Sequence, residues 1–110
     1  MKHGDIYWAN LDPQKGSEQG GKRPVVIISG NTMNDNLGIV IICPISSKIK
    51  NYPACIKIVK NKLNNLEVDS EVITFQIRAI SKLRFGRKIG VINRDQLRQI
   101  LFGLNEIFTY

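Results

Sequence analysis

The hydrophobic pattern of this chain changes its period near residue 93. Before that point, β-favouring residues fall in short runs separated by polar loops, predicted over residues 12–22, 30–38 and 46–53. The runs predict strands over residues 5–11, 23–29, 39–45 and 54–60, one or two strands within 67–80, and an irregular strand within 81–92. After residue 93, apolar residues recur at spacings of three and four, which predicts an amphipathic helix over residues 93–108. Its predicted apolar face comprises Leu97, Ile100, Leu101, Leu104, Ile107 and Phe108.

Short strands followed by one helix predict a mainly β fold: a small, mostly antiparallel, partly open barrel with a helix packed against it. The run at 39–45 is the most apolar and is expected at the centre of the sheet. Asn93 is placed to cap the helix, with Gln96 reciprocating as in a capping box. Gly103 lies within the helix, where it allows close packing. The 110 residues suit a single domain over 1–110.

The charge of the chain points to an anionic partner. Sixteen basic residues against nine acidic ones give a net charge of +7, which favours a polyanion or an acidic protein. Cys43 lies in an apolar run and is expected in the core, and no CxxC pair accompanies it, so a reducing cytoplasm is inferred. The first residues lack the apolar core of a signal peptide, and no apolar run approaches the ~20 residues of a membrane helix.

Several common catalytic arrangements are missing from the sequence. His3 is the single histidine, which excludes cleavage by a histidine pair and makes a zinc site implausible. No phosphate-binding P-loop and no GxSxG nucleophile motif is present. An enzyme built from this chain would rely on Arg, Lys, Ser, Glu and backbone amides. We therefore expect no metal and no cofactor.

The stretch GSEQGGKRPVVIIS places a glycine-rich polar loop directly before a buried strand. Glycines at 16, 20 and 21 let the backbone approach a ligand, and its amides can form an anion-binding nest. Arg23 opens the strand, so its guanidinium, which suits phosphate, is held on a rigid element. The alternative interpretation is a surface hairpin with solvated charges.

A second polar cluster, Ser46, Ser47 and Lys48, follows the run at 39–45. If that strand pairs antiparallel with the strand that Arg23 opens, Ser46 approaches Arg23, because antiparallel neighbours meet end to start. The alternative is a turn hydroxyl that bonds its own backbone. Gln76 and Arg78 are predicted to share one strand face, which is either functional or simply solvent-exposed.

Long stretches of the chain resemble the MazF/PemK family of toxin endoribonucleases. The resemblance rests on GDIYWANLDPQKGSEQGGKRPVVIIS, IICPISSKIKNYP and DSEVITFQIRAIS, and it covers nearly the whole chain. It implies a small SH3-like, CcdB-like barrel, a homodimer, and an acidic MazE-like antitoxin as partner. It also implies metal-independent, sequence-specific cleavage of single-stranded RNA that leaves 2′,3′-cyclic phosphate and 5′-hydroxyl ends.

The same resemblance implies roles for individual residues. Arg23 matches the family's catalytic arginine, and Ser46 stands where many members have a catalytic threonine. We expect Arg23 to stabilise charge and Ser46 to orient the phosphate, with Glu18, a water or a backbone group as the base. Tyr52 is the aromatic expected to stack on bases, whereas Trp8 and Phe75 are expected in the core. The expected RNA-binding residues are Ser17, Glu18, Gln19, Gly20, Gly21, Lys22, Ser47, Lys48, Tyr52, Gln76 and Arg78.

Two other functions are open, the first of them on the same kind of barrel. A CcdB-like inhibitor that poisons a gyrase would not need Arg23 and Ser46 to meet. An RNA-binding module without catalysis would bind RNA in a salt-dependent way and leave it intact.

Overall fold

A computed structural model describes residues 1–109 as an antiparallel sheet with two α-helices. Two short 3₁₀ turns, Thr74–Gln76 and Lys82–Arg84, lie between strands in the second half of the chain. The prediction of a mainly β chain with a C-terminal helix is therefore confirmed. The elements are β1 (Asp5–Asn10), β2 (Lys22–Ile27), α1 (Asn31–Asn36), β3 (Ile39–Ser46), β4 (Ile56–Ile58), β5 (Ser70–Val72), β6 (Arg78–Ser81), β7 (Phe85–Val91) and α2 (Arg94–Ile107).

Strand β3 lies at the centre of the sheet, as its apolar sequence predicts. The strands run in the order β4–β5–β3–β2–β1–β7, and β6 pairs with the first half of β3 while β5 pairs with its end. Every pairing is antiparallel. The strands at the two ends of this order, β4 and β7, are not paired with each other within residues 1–109, so the barrel is partly open.

The loop between β4 and β5 covers this opening. The Val91 N–H donates to the Leu63 carbonyl at 3.0 Å, and the Asn65 side chain donates to the Ile89 carbonyl at 3.2 Å. A Cβ at position 90 would lie 2.5 Å from the Leu63 carbonyl oxygen, so Gly90 is what permits the contact. The loop thus joins β7 by one backbone and one side-chain hydrogen bond, in the place where a neighbouring strand would otherwise pair.

Apolar side chains pack on both faces of the sheet, because successive strand residues point to opposite sides. Along β3, Cys43 and Ile45 enter a first core with Val26 of β2, which α2 covers with Ile100 and Leu104. Val40 and Ile42 enter a second core together with Val25 and Ile27. Burial raises the pKa of the Cys43 thiol to about 12, with a further contribution from Cys55, which agrees with the predicted core position of Cys43.

Helix α2 begins as predicted but exposes part of its predicted apolar face. Asn93 Oδ1 accepts the Gln96 N–H at 2.8 Å, which is the expected cap. The predicted reciprocal bond is wrong, because the buried Gln96 Oε1 has no hydrogen-bond partner among the described residues. Leu101 and Phe108 are exposed, at 41% and 76%, since the helix contacts the sheet over a narrower stripe.

Three further predictions are wrong for identifiable physical reasons. The predicted loop 30–38 contains α1, which tertiary hydrogen bonds stabilise: the buried Asn34 amide donates to the Ser29 carbonyl at 2.8 Å, and the Lys82 ammonium donates to the Asn34 carbonyl. The strand predicted over 54–60 shrinks to β4, because Ala54 has a φ of 67° and is not extended. Gln76 and Arg78 do not share a strand face, since Gln76 ends a 3₁₀ turn and Arg78 begins β6.

We predict that Gly103→Ala destabilises the protein, although alanine is the better helix former by about 1 kcal/mol. A Cβ at this position would lie 2.2 Å from the Ala54 carbonyl oxygen, so α2 would have to move off the sheet. The expected loss in the free energy of unfolding is about 1–3 kcal/mol, measured by urea denaturation. Gly38→Ala is the matched control, because a Cβ at that position would meet nothing within 4 Å, and it should leave stability unchanged or raised. Equal effects of the two variants would contradict the packing argument.

Candidate active site

The start of β2 and the end of β3 form one wall of a groove. The β2–β3 ladder pairs Val25 with Pro44, and continuing this register by two residues places Arg23 opposite Ser46. Both residues line the same groove, which has a volume of about 500 Å³. The structure therefore brings together the two residues that the sequence analysis expected to meet, on the sheet face that also carries the second core.

Arg23 is oriented by a backbone contact from the loop that precedes it. Its Nε donates to the Gly20 carbonyl at 2.9 Å. Its two Nη groups make no hydrogen bond to any of residues 1–109, and no carboxylate there pairs with them. Two residues further along β2, Val25 is fully buried and fixes the strand. The guanidinium is thus held at one edge while its Nη donors have no partner among the described residues, an arrangement suited to a phosphate.

Ser46 is buried, and its hydroxyl is used in a turn. Ser46 Oγ accepts the Lys48 N–H at 3.1 Å, which is the turn interpretation that the sequence left open. The side chain is 7% exposed and still forms part of the groove wall. The hydroxyl also donates to the Lys48 carbonyl at 3.5 Å, a long bond that a closer acceptor can replace, and it keeps a second lone pair, so the turn fixes its position.

The loop between β1 and β2 covers the groove and contacts its far wall. The Gln76 side chain donates to the Ser17 carbonyl at 3.1 Å across the groove. Glu18 Oε1 accepts the Lys15 N–H at 3.0 Å, which shapes the tip of the loop. A Cβ at Gly20 would lie 2.5 Å from Gln14 Cβ, so this close approach requires glycine.

An aromatic pair lies on the wall opposite the loop. The rings of Tyr52 and Phe75 are 5.2 Å apart and nearly perpendicular, at 86°. The prediction that Phe75 lies in the core is wrong, because the 3₁₀ turn after β5 rotates it outward and leaves it 47% exposed. Trp8 is also outside both cores and is half-buried. The groove thus has Arg23 on one wall and this aromatic pair on the other.

Residues 2–108 match the family model described as PemK-like, MazF-like toxin of type II toxin-antitoxin system. The chain belongs to this family. It is 37% identical over 102 residues to the endoribonuclease MazF of Staphylococcus saprophyticus, which covers 91% of this chain and 84% of that protein. The resemblance that the sequence motifs indicated is therefore confirmed.

Solved structures of MazF toxins share the fold. A crystal structure of MazF from Deinococcus radiodurans matches with a TM-score of 0.86 and 26% identity, over 100% of this chain and 97% of that one. A MazE–MazF crystal structure from the same organism matches with a TM-score of 0.77 and 25% identity, over 98% and 95% of the respective chains. The partly open MazF-like barrel is therefore the fold of this chain.

Most of the residues expected at the RNA site of this MazF-like protein line the groove. They are Ser17, Glu18, Gln19, Gly20, Arg23, Ser46, Ser47, Lys48, Tyr52 and Gln76. Three others lie outside it. Gly21 has a φ of 73° and donates its N–H to Asp12, Lys22 faces the other side of β2, and Arg78 pairs with Ile42 in the sheet.

Four residues lining the groove were not predicted as site residues: Gln14, Lys50, Ile73 and Phe75. Gln14 and Lys50 adjoin the predicted polar clusters, so extending those clusters would have included them. Within residues 1–109, no group of three or more metal-ligating side chains is present, and no helix is long and apolar enough to cross a membrane. His3 lies away from the groove, with Nδ1 2.8 Å from the Ile28 carbonyl oxygen.

Glu71 is a further unpredicted residue, and it lies behind the groove wall. It is 1% exposed and pairs with Ser46 across the β3–β5 ladder. Its Oε1 accepts the Lys50 N–H at 3.1 Å, so a buried carboxylate holds the loop that carries Lys48, Lys50 and Tyr52. The alternation of residues along β5 does not predict that Glu71 is buried. The loop between β3 and β4 covers its side chain, and that loop lies earlier in the chain than β5.

We predict that Glu71→Leu releases the Lys50 amide, whereas Glu71→Gln keeps an acceptor at nearly the same place. A hydrogen bond to a charged group contributes about 1.5–3 kcal/mol, so hydrogen exchange at the Lys50 N–H should accelerate about tenfold or more in the leucine variant. Exchange measured by NMR on both variants tests this. Equal protection of the Lys50 amide in wild type and Glu71→Leu would show that Glu71 does not hold the loop.

Proposed function

We propose that this MazF-like toxin is a metal-independent endoribonuclease that cleaves single-stranded RNA at short sequences. The products are a 2′,3′-cyclic phosphate and a 5′-hydroxyl end. The observation that carries the proposal is the position of Arg23: a guanidinium fixed through Nε, with no partner for its Nη groups in residues 1–109, on a groove wall that also holds Ser46. The roles of the individual site residues are part of this proposal.

The reaction requires charge stabilisation and two proton transfers. The 2′-oxygen attacks the adjacent phosphorus, the bond to the 5′-oxygen breaks, and negative charge builds up on the phosphoryl oxygens between these events. The pKa of an arginine side chain exceeds about 12, so Arg23 acts as a stabiliser of that charge rather than as a base. Ser46 donates to a phosphoryl oxygen and orients the phosphate. Arg23 is also our candidate for the acid that protonates the leaving 5′-oxygen.

Glu18 is our candidate for the base that takes the 2′-hydroxyl proton. It is the carboxylate among the residues lining the groove. It lies in the loop that Gln76 ties to the far wall through Ser17, so a bound RNA would be enclosed beneath it. A general base must come within hydrogen-bond distance of the proton that it removes, and a loop that closes over RNA can supply that contact.

The shape of the groove favours unpaired RNA. Tyr52 and Phe75 are exposed at the wall facing Arg23, and bases must be unstacked before aromatic side chains can stack on them. Lys48 and Lys50 add positive charge along the same wall, which attracts the phosphate backbone. These features support a single-stranded substrate.

We further propose a homodimer whose activity an acidic MazE-like antitoxin blocks. The MazE–MazF complexes among the similar structures support the antitoxin. The exposed apolar side chains of Leu101 and Phe102 on α2, and of Phe108 directly after it, support a protein interface on that helix. The net charge of +7 suits an acidic segment as well as RNA. Sedimentation of the purified protein tests the dimer, and a monomer at micromolar concentration would contradict it.

We predict that purified protein cuts a mixed single-stranded RNA at discrete positions in EDTA, and that Arg23→Ala lowers the single-turnover rate about 10²- to 10³-fold. Cut positions and end chemistry are mapped by sequencing and by phosphatase sensitivity. Arg94→Ala is the matched control, since it removes the same charge from an exposed helix position outside the groove. Circular dichroism checks that all variants fold.

Three outcomes would contradict the proposal. Intact RNA across many sequences would point instead to a gyrase poison or a binding module. Loss of cleavage when EDTA is added would show that the reaction requires a metal ion. If the Arg23→Ala variant folds and cleaves RNA at a near-normal rate, Arg23 has no catalytic role. In the same assay, Glu18→Gln is expected to slow the reaction about 10²-fold without weakening RNA binding, and an unchanged rate would assign the base to water or backbone.

A further inference from the structure

A second cavity lies on the opposite face of the two strands that carry Arg23 and Ser46. Side chains alternate along β2, so Arg23 belongs with Val25 on the second-core face, whereas Pro24 points to the other side. By the same alternation along β3, the side chains of Ile45 and Ser46 point to opposite faces of the sheet. Pro24 and Ile45 line this second cavity, whose volume is about 350 Å³. That volume is within the range of about 300–1,000 Å³ that is usual for small-ligand sites.

The cavity has an apolar floor and an aromatic wall. Ile45 and Leu66 are buried at its base, as the end of the first core. Trp8 pairs with Pro24 in the β1–β2 ladder and is half-buried, so part of its surface remains available to a ligand. An exposed indole beside an apolar floor suits a flat ring, because stacking replaces the contact with water.

The rim of the cavity carries positive charge that the described chain does not neutralise. Lys22 comes from β2 and Arg87 from β7, and both are exposed. Neither has a carboxylate within ion-pair distance in residues 1–109, where the two ion pairs are Lys88–Asp5 and Arg98–Asp95. Glu67 is the acidic residue on the rim, so the local balance favours an anion.

The second cavity and the groove share part of their boundary. Arg23 and Ser47 line both, so a chain bound in the groove needs only to pass over the ends of β2 and β3 to enter the second cavity. We propose that this cavity binds one nucleotide of the RNA that flanks the scissile phosphate, with its base against Trp8 and its phosphate at Arg87 and Lys22. The inference rests on the proposed ribonuclease function.

A nucleotide fits the cavity better than an apolar peptide side chain does. Ser47 and Asn65 on the rim present a hydroxyl and an amide oxygen, beside the Glu67 carboxylate. Asn65 uses its NH₂ group on the Ile89 carbonyl, so its oxygen is left as an acceptor. A base edge offers donors to such groups, whereas an aliphatic side chain would leave them without partners.

The test compares RNA substrates that differ only in length. The cut is first mapped with wild type, and then the shortest RNA that wild type still cuts is compared with versions extended by about six nucleotides on the 5′ or the 3′ side. We expect one extension to lower the KM of wild type. Arg87→Ala should raise the KM for that substrate about five- to tenfold, with kcat unchanged and the short RNA unaffected. Trp8→Phe should retain most of the gain, since the ring is kept.

Arg94→Ala is the control for general loss of charge. If Arg87→Ala and Arg94→Ala behave alike on every substrate that wild type cleaves, the subsite is overturned and the proposed function stands. If wild type cleaves none of the RNAs, both are overturned. If Arg87→Ala leaves every KM unchanged but weakens binding of an acidic antitoxin peptide, the cavity is a protein-docking site and the nucleotide subsite is rejected.

Discussion

The groove depends on one piece of backbone pairing, the antiparallel ladder between β2 and β3. That ladder brings the start of one strand to the end of the other, so a residue at position 23 and a residue at position 46 reach one wall from distant parts of the sequence. Because Val25, Val26 and Ile27 are completely buried, the ladder cannot slip without exposing one core or the other. The position of the guanidinium is therefore a property of the whole sheet.

Electrostatics and shape contribute separately to the candidate site. The excess of basic residues attracts an anionic chain at long range and is weakened by salt. Local features determine what can be bound closely: the free Nη groups of Arg23, the aromatic pair Tyr52–Phe75, and a loop tied across the groove by Gln76. An RNA and an acidic antitoxin segment would compete for the same charge, while the narrow groove and its aromatic wall suit unstacked bases.

The hydrophobic pattern of the sequence predicted the main strands and the C-terminal helix of this protein, and part of its candidate site. Alternation and period were sufficient for the central strand, the C-terminal helix and the meeting of Arg23 with Ser46. They were insufficient wherever a distant contact overrides local preference. Helix α1 forms because Asn34 is bonded to Ser29 and Lys82, and Phe75 is exposed because a 3₁₀ turn follows β5. Glu71 was not predicted as a buried residue, because a charged residue in a short strand usually faces solvent. The loop that carries Lys50 buries it, and that contact is known only from the structure.

The loop between β4 and β5, which covers the open side of the barrel, can change in sequence without changing the wall that carries Arg23. It reaches β7 through the carbonyl of Leu63 and the side chain of Asn65, and Gly90 leaves room for it. The β2–β3 ladder makes no use of this contact, so substitutions from Asn65 to Val68 can reshape the second cavity while the wall that carries Arg23 stays as it is. If the second cavity binds RNA as proposed, sequence change in this loop would alter recognition beside the cut without altering the chemistry of cleavage, and related toxins would diverge in their targets.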